Sequence, residues 1–104
     1  DALIEILYIY LDNAIKYSPE NSQIEIISDG KKSLAVRDHG SGIADKDLPN
    51  VFNRFYRADE SRNSEGFGLG LSLASRLAEQ MGAKVSATNN PSRYGSGATF
   101  TICF

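Results

Sequence analysis

Apolar positions in the first stretch of the chain recur at the spacing of a helix. Leu3, Leu7, Leu11, Ala14 and Ile15 return to one face, and Pro19 forbids continuation, so the pattern predicts a helix over residues 2–17. Two short β-rich runs follow, around Ile24 and Ile26 and over Ser33–Val36, separated by Asp29-Gly30-Lys31-Lys32, which reads as a hairpin turn. The second of these strands is expected to end near Arg37-Asp38, where His39-Gly40-Ser41-Gly42 breaks it. Asp45 to Phe52 reads as a short helical stretch with Asp45 as its N-cap. Leu73, Leu77, Ala78 and Met81 then mark one face of a second helix that Gly82 terminates. Closing strands near Lys84–Thr88 and Ala98–Phe104 flank an Asn-Asn-Pro-Ser-Arg-Tyr-Gly turn. The order α-β-β-α-β-β predicts an α+β fold, with helices on one face of a mostly antiparallel sheet.

One segment breaks the periodicity altogether. Residues 57–65 contain no apolar side chain larger than alanine, so the stretch has nothing to dock into a core and is expected to be mobile.

Composition narrows the function classes. The 104 residues are 41% hydrophobic and 23% charged, with 11 Lys+Arg against 13 Asp+Glu and a formal net charge of −2. That length suits one domain spanning residues 1–104. The balance lacks the basic excess of a dedicated nucleic-acid binder. Cys103 is the only cysteine, so no internal disulfide forms, and at the tail of the last strand it reads as a core or edge residue. The longest apolar run, Ile6 to Leu11, has six residues, whereas a membrane-spanning helix needs about 20. Direct membrane insertion is therefore not expected. No leader precedes the helix-patterned start, which reads as an N-terminally trimmed fragment.

Four segments carry candidate chemistry. They are Leu11-Asp12-Asn13-Ala14-Ile15-Lys16-Tyr17-Ser18, Asp38-His39-Gly40-Ser41-Gly42-Ile43, Phe52-Asn53-Arg54-Phe55-Tyr56-Arg57 and Gly66-Phe67-Gly68-Leu69-Gly70-Leu71. On the first helix, Ile9, Asn13, Lys16 and Tyr17 share a stripe at i, i+4, i+7 and i+8. The glycine-rich stretch at 66–70 leads straight into the second helix, whose N-terminal N–H groups and positive dipole end favour phosphate oxygens. It is not a Rossmann fingerprint, because a polar loop rather than a strand precedes it, and no Gly-Lys-Ser/Thr follows as in a Walker A loop.

In this order, the four segments resemble the N-box, DxGxGI box, F-box and GxGLGL box of sensor histidine kinases, and the resemblance covers essentially the whole chain. It implies the two-layer α/β sandwich (Bergerat fold) of the gyrase, Hsp90, histidine kinase and MutL ATPases. It also implies Mg²⁺ and ATP as ligands. Asn13 would hold Mg²⁺, since one amide oxygen can ligate this hard ion while most of its waters stay. Lys16 and Arg57 would meet phosphate charge, and Tyr17, Ile43 and Leu69 would line the base. Asp38 would accept a hydrogen bond from the adenine 6-amino group, where guanine presents an acceptor. Gly40 and Gly42 would let the backbone approach the ligand. Gly66, Gly68, Gly70 and Leu71 would offer backbone N–H groups to the phosphates. Residues 57–66 correspond to the ATP lid, with Phe52 and Phe55 anchoring its root, while Arg54 reads equally as a surface ion-pair partner.

The implied reaction is γ-phosphoryl transfer to a histidine on a separate dimerisation and phospho-acceptor helical domain of the same kinase, feeding a response regulator indirectly. The expected location is cytoplasmic, including as part of a membrane-anchored sensor. His39 sits at the variable position of its box, on a loop and without the acceptor motif's acidic neighbour, so it is not the phospho-acceptor. Ile9 departs from the family, which places an earlier asparagine there, or a water-activating glutamate in the gyrase type. Isoleucine neither ligates metal nor acts as a base, which argues against an ATP-hydrolysing clamp. A serine kinase of the anti-sigma-factor type and a non-catalytic nucleotide-dependent interaction module remain as alternatives.

Overall fold

A computed structural model describes residues 1–30, 32–53, 70–91, 93 and 95–104. Helix α1 runs Ala2–Tyr17 and α2 runs Gly70–Met81, while the strands are β1 (Glu25–Ser28), β2 (Ser33–Arg37), β3 (Lys84–Asn89) and β4 (Ala98–Cys103). Asp1 caps α1, its side chain accepting from Leu3 N–H at 2.9 Å, and Lys16 sits in the last turn against the negative end of the dipole. Ser18 is already extended, and Pro19 keeps the chain out of the helix.

The sheet order is β1-β2-β4-β3, and all three pairings are antiparallel. Asp29 builds the β1–β2 hairpin, its Oδ1 accepting from Lys32 N–H at 2.7 Å and Ser33 N–H at 3.0 Å. On β4, Ala98, Phe100 and Ile102 point inward and are buried, while Thr99, Thr101 and Cys103 point away from the helices. Both helices pack on the inner face and against each other, as the order of elements predicts.

The core corrects the sequence reading of both helix faces. Ile6, Tyr10 and Ala14 are the buried line of α1, with Leu3, Leu7 and Leu11 half-buried beside it, and Ile15 is 66% exposed. The helix is apolar on nearly every side, so two lines at i, i+4, i+8 compete, and periodicity alone does not choose between them. On α2 the buried residues are Ala74 and Ala78, small enough for α1 to approach closely, while Leu73 and Met81 are exposed. The predicted terminator holds. Gly82 N–H donates to Glu79 O at 3.0 Å and Ala83 N–H to Ala78 O at 2.8 Å, the paired bonds of a Schellman cap.

Two further expectations change. Instead of a helix over Asp45–Phe52 there is a single 3-10 turn at Leu48–Asn50, entered from Asp47 rather than Asp45, with Pro49 at its start. Cys103 is neither core nor edge. It lies on β4, which pairs with strands on both sides, and its side chain is exposed on the outer face. No helix among the described residues is long and apolar enough to cross a membrane.

Candidate nucleotide site

Asp38 follows β2 directly and is held by the start of β4. Its N–H donates to Ala98 O at 2.9 Å, and its Oδ1 accepts from Ala98 N–H at 3.0 Å, so side chain and backbone together extend the β2–β4 ladder. Oδ1 also accepts from Gly40 N–H at 3.0 Å. The residue is only 5% exposed, and a buried carboxylate needs such donors. With both protein bonds on Oδ1, Oδ2 has no hydrogen-bond partner among the described residues. One oxygen thus fixes the side chain, and the other is left open to a donor.

Gly40 joins this loop to α1. A Cβ at position 40 would strike the backbone carbonyl of Tyr17, so only glycine allows the loop to lie against the end of the helix. That contact brings the Asp38 loop against the end of α1, the helix that carries Asn13, Lys16 and Tyr17, two motifs that the β1–β2 pair separates in sequence. Asn13 is half-buried and its amide has no partner among the described residues. Lys16 is exposed and pairs with Asp12 at 3.2 Å, an (i, i+4) surface ion pair weak enough to exchange for a phosphate. Tyr17 is half-buried.

Gly42, at φ 80°, and Ile43 complete the loop, and Ile43 packs half-buried against the core. Gly70 and Leu71 form the first turn of α2, where backbone N–H groups lack intrahelical acceptors. The Leu71 side chain packs against the core, which leaves its backbone N–H as the group it can offer. A Cβ at Gly70 would lie 3.6 Å from Ile9 Cγ2. Ile9 thus fills the seam between α1 and the start of α2. Arg57, Gly66, Gly68 and Leu69, the lid at 57–66, and Arg54 and Phe55 lie outside the described residues. Phe52, read as an anchor, packs edge-on against Phe100 with ring centroids 6.3 Å apart.

His39 Nε2 meets Glu25 Oε1 at 3.1 Å, and Arg37 stands 4.0 Å from the same oxygen. The imidazole is engaged across the β1–β2 hairpin. No group of three or more His, Cys, Asp or Glu able to cage a metal occurs among the described residues. A lone amide such as that of Asn13 fits a Mg²⁺ that arrives with its phosphates and keeps several waters.

Asn89, Asn90, Gly97 and Thr99 also surround the Asp38–Ile43 loop and belong to none of the four motifs. Asn89 and Asn90 precede Pro91 and read as turn residues. Gly97, at φ 122°, lies where a Cβ would hit the Asp38 carbonyl. A glycine just ahead of a predicted strand was the available signal for a close backbone approach.

The model of the histidine kinase-, DNA gyrase B- and HSP90-like ATPase family matches residues 1–104, the whole chain. The chain belongs to that family. Among similar members, the sensor histidine kinase YkoH of Bacillus subtilis is 43% identical over 103 residues, and the histidine-protein kinase ArlS of Staphylococcus haemolyticus is 38% identical over 105. The match takes in 96% of this chain but 22% of either relative, so the chain spans about a fifth of their length. Among solved structures, the mycobacterial sensor histidine kinase MprB superposes with a TM-score of 0.83 at 26% identity, covering 99% of this chain and 71% of that one. Full-length ShkA in complex with AMPPNP gives 0.75 at 30% identity, over 97% of this chain and 20% of that one. The ATPase-family fold accounts for the two helices over an antiparallel sheet.

Proposed function

We propose that this ATPase-family chain is the catalytic domain of a two-component sensor histidine kinase, presenting Mg-ATP to a histidine on a separate helical domain. The observation that carries the reading is the junction at Gly40, which sets a half-satisfied buried carboxylate, Asp38, against the helix end bearing Asn13, Lys16 and Tyr17. Such a carboxylate accepts a hydrogen bond from an exocyclic amino group and leaves an unpaired clash with the guanine oxygen at the same place. ShkA, which shares the fold, was solved with AMPPNP, an adenine nucleotide.

In this reading Asp38 selects the base, Tyr17 and Ile43 cover it, and Gly42 shapes the loop around it. Asn13 ligates the metal that accompanies the phosphates, and Lys16 leaves Asp12 to offset phosphate charge. Backbone N–H groups of Gly70 and Leu71 would face the phosphates, the role the resemblance also gives to Gly66, Gly68 and Arg57, while it gives Leu69 to the base. Mg²⁺ supplies charge neutralisation. The protein's share is positioning, as for phosphoryl transfer generally. The bond between Pγ and its bridging oxygen breaks, a P–N bond forms on the acceptor imidazole, and ADP leaves.

Titration calorimetry tests the reading. The 104-residue chain is expected to bind ATP in the presence of Mg²⁺, and Asp38→Asn is expected to weaken it by about 2 kcal/mol, some thirtyfold. A folded chain that binds no ATP, or an Asp38→Asn variant that binds it equally well, overturns the proposal. Ile9 favours one second reading, a nucleotide-dependent interaction module without catalysis, because the side chain packs on Gly70 where the family has a metal-binding asparagine.

A further inference from the structure

Both ends of the Asp38–Ile43 loop are gripped by two consecutive asparagines that end β3 and open the following loop. Asn89 Oδ1 accepts from Ile43 N–H at 2.8 Å, and its Nδ2 donates to Ile43 O at 2.6 Å. The side-chain amide thereby makes the two-way bridge that a neighbouring strand's backbone would make. Asn90 grips the other end. Its Nδ2 donates to Asp38 O at 2.9 Å and to Ser96 O at 3.2 Å, while its backbone N–H donates to Gly97 O at 3.0 Å. Its Oδ1 accepts from Thr99 Oγ1 at 2.6 Å, which fixes the rotamer. A planar amide donates from one atom and accepts on the other, which suits it to this bridging.

The grip is braced from outside. Thr99 Oγ1 also accepts from Arg37 Nε at 3.4 Å, Arg37 stands by Glu25, and Glu25 meets His39, the residue after Asp38. The contacts form a closed ring through the Asp38 peptide. Consecutive residues of an extended chain point to opposite sides, so adjacent asparagines can reach the two ends of one loop.

We infer that Asn89 and Asn90 are positioning residues for base recognition, clamping Ile43 and Asp38 so that the free oxygen of Asp38 meets an adenine amino group at fixed geometry. The inference rests on the nucleotide reading above. On the Asp38–Ile43 loop the clamp touches backbone only, so its effect on a ligand passes through the loop it holds.

Calorimetry with Mg-ATP and Mg-GTP on the full chain, Asn90→Ala, Asp38→Asn and the double variant tests it. Asn90→Ala is expected to weaken ATP about tenfold, the loss of one loop-fixing hydrogen bond, and to leave GTP unchanged, so the preference for adenine narrows by the same factor. In the Asp38→Asn background the same change is expected to alter ATP affinity by no more than about twofold. Equal loss for both nucleotides, or additive losses in the double variant, overturns the inference in favour of a merely structural asparagine. If Asn90→Ala does not fold, Thr99→Val removes the bond that fixes Asn90 and carries the test, with about a threefold loss for ATP alone expected; unchanged ATP binding there also overturns it. Absence of ATP binding by the unaltered chain, or indifference to Asp38→Asn alone, sinks the nucleotide reading and the clamp with it.

Discussion

Tyr10 places a hydroxyl in the middle of an apolar layer, where its ring centroid lies 5.5 Å from that of Phe100 and its Oη donates to Thr101 O at 2.8 Å. Burial, with a smaller contribution from Cys103, pushes its phenol well above the ordinary value of 10.0. The folded chain therefore keeps this proton where the unfolded chain has lost it, so stability falls as pH rises above about 10. Tyr10→Phe is expected to cost about 1 kcal/mol at pH 7 and to flatten that alkaline decline, as read from urea unfolding at a series of pH values. An equally steep decline in the variant refutes the assignment. Nothing in the sequence separates Tyr10 from the apolar run Ile6–Leu11, because its role depends on β4, which arrives some 90 positions later. Asp38 stands out in the sequence between a strand and Gly-x-Gly, and the fold buries it at that junction. Asn90 does not stand out, because its partners, backbone carbonyls and the Thr99 hydroxyl, are brought together only by the folded loop.

At the scale of elements, helix ends were read better than helix faces. The limits of α1 follow from Asp1 and Pro19, and those of α2 from the glycine stretch and Gly82, all local chemistry. Faces depend on what each helix packs against, and Ile15 and Leu73 were misplaced because an apolar side chain carries no address. Asp45–Phe52 failed differently, since Pro49 removes a donor and the chain there closes into a single tight turn. The cap on α2 gives a prediction that separates shape from space. Gly82 adopts φ 75° with nothing within 4 Å of where a Cβ would stand, so Gly82→Ala has a backbone cost only. A loss of about 1 kcal/mol in thermal or urea unfolding is expected, with ATP affinity unchanged. A neutral substitution contradicts the left-handed cap.

For the molecule as a whole, the element order and the helical layer were legible, while the placing of β4 between β2 and β3 was not, because strand order is set by long-range register. The single histidine, His39, is engaged with Glu25, so the phosphoryl acceptor is expected on another domain. Incubating the chain with labelled ATP and a histidine-bearing helical domain is expected to put acid-labile phosphate on the partner and none on the chain itself. Acid-stable label identifies a serine kinase instead, and tight ATP binding without transfer identifies the interaction module.

The hydrogen bond from Ala98 N–H to Asp38 Oδ1 joins residues 60 positions apart. Asp38 leaves the ribosome before β4 exists to hold it, and closing a loop of that separation carries an entropic cost that local contacts avoid. On the nucleotide reading proposed above, a nascent or partly denatured chain is expected to gain affinity for ATP only once β4 has paired with β2.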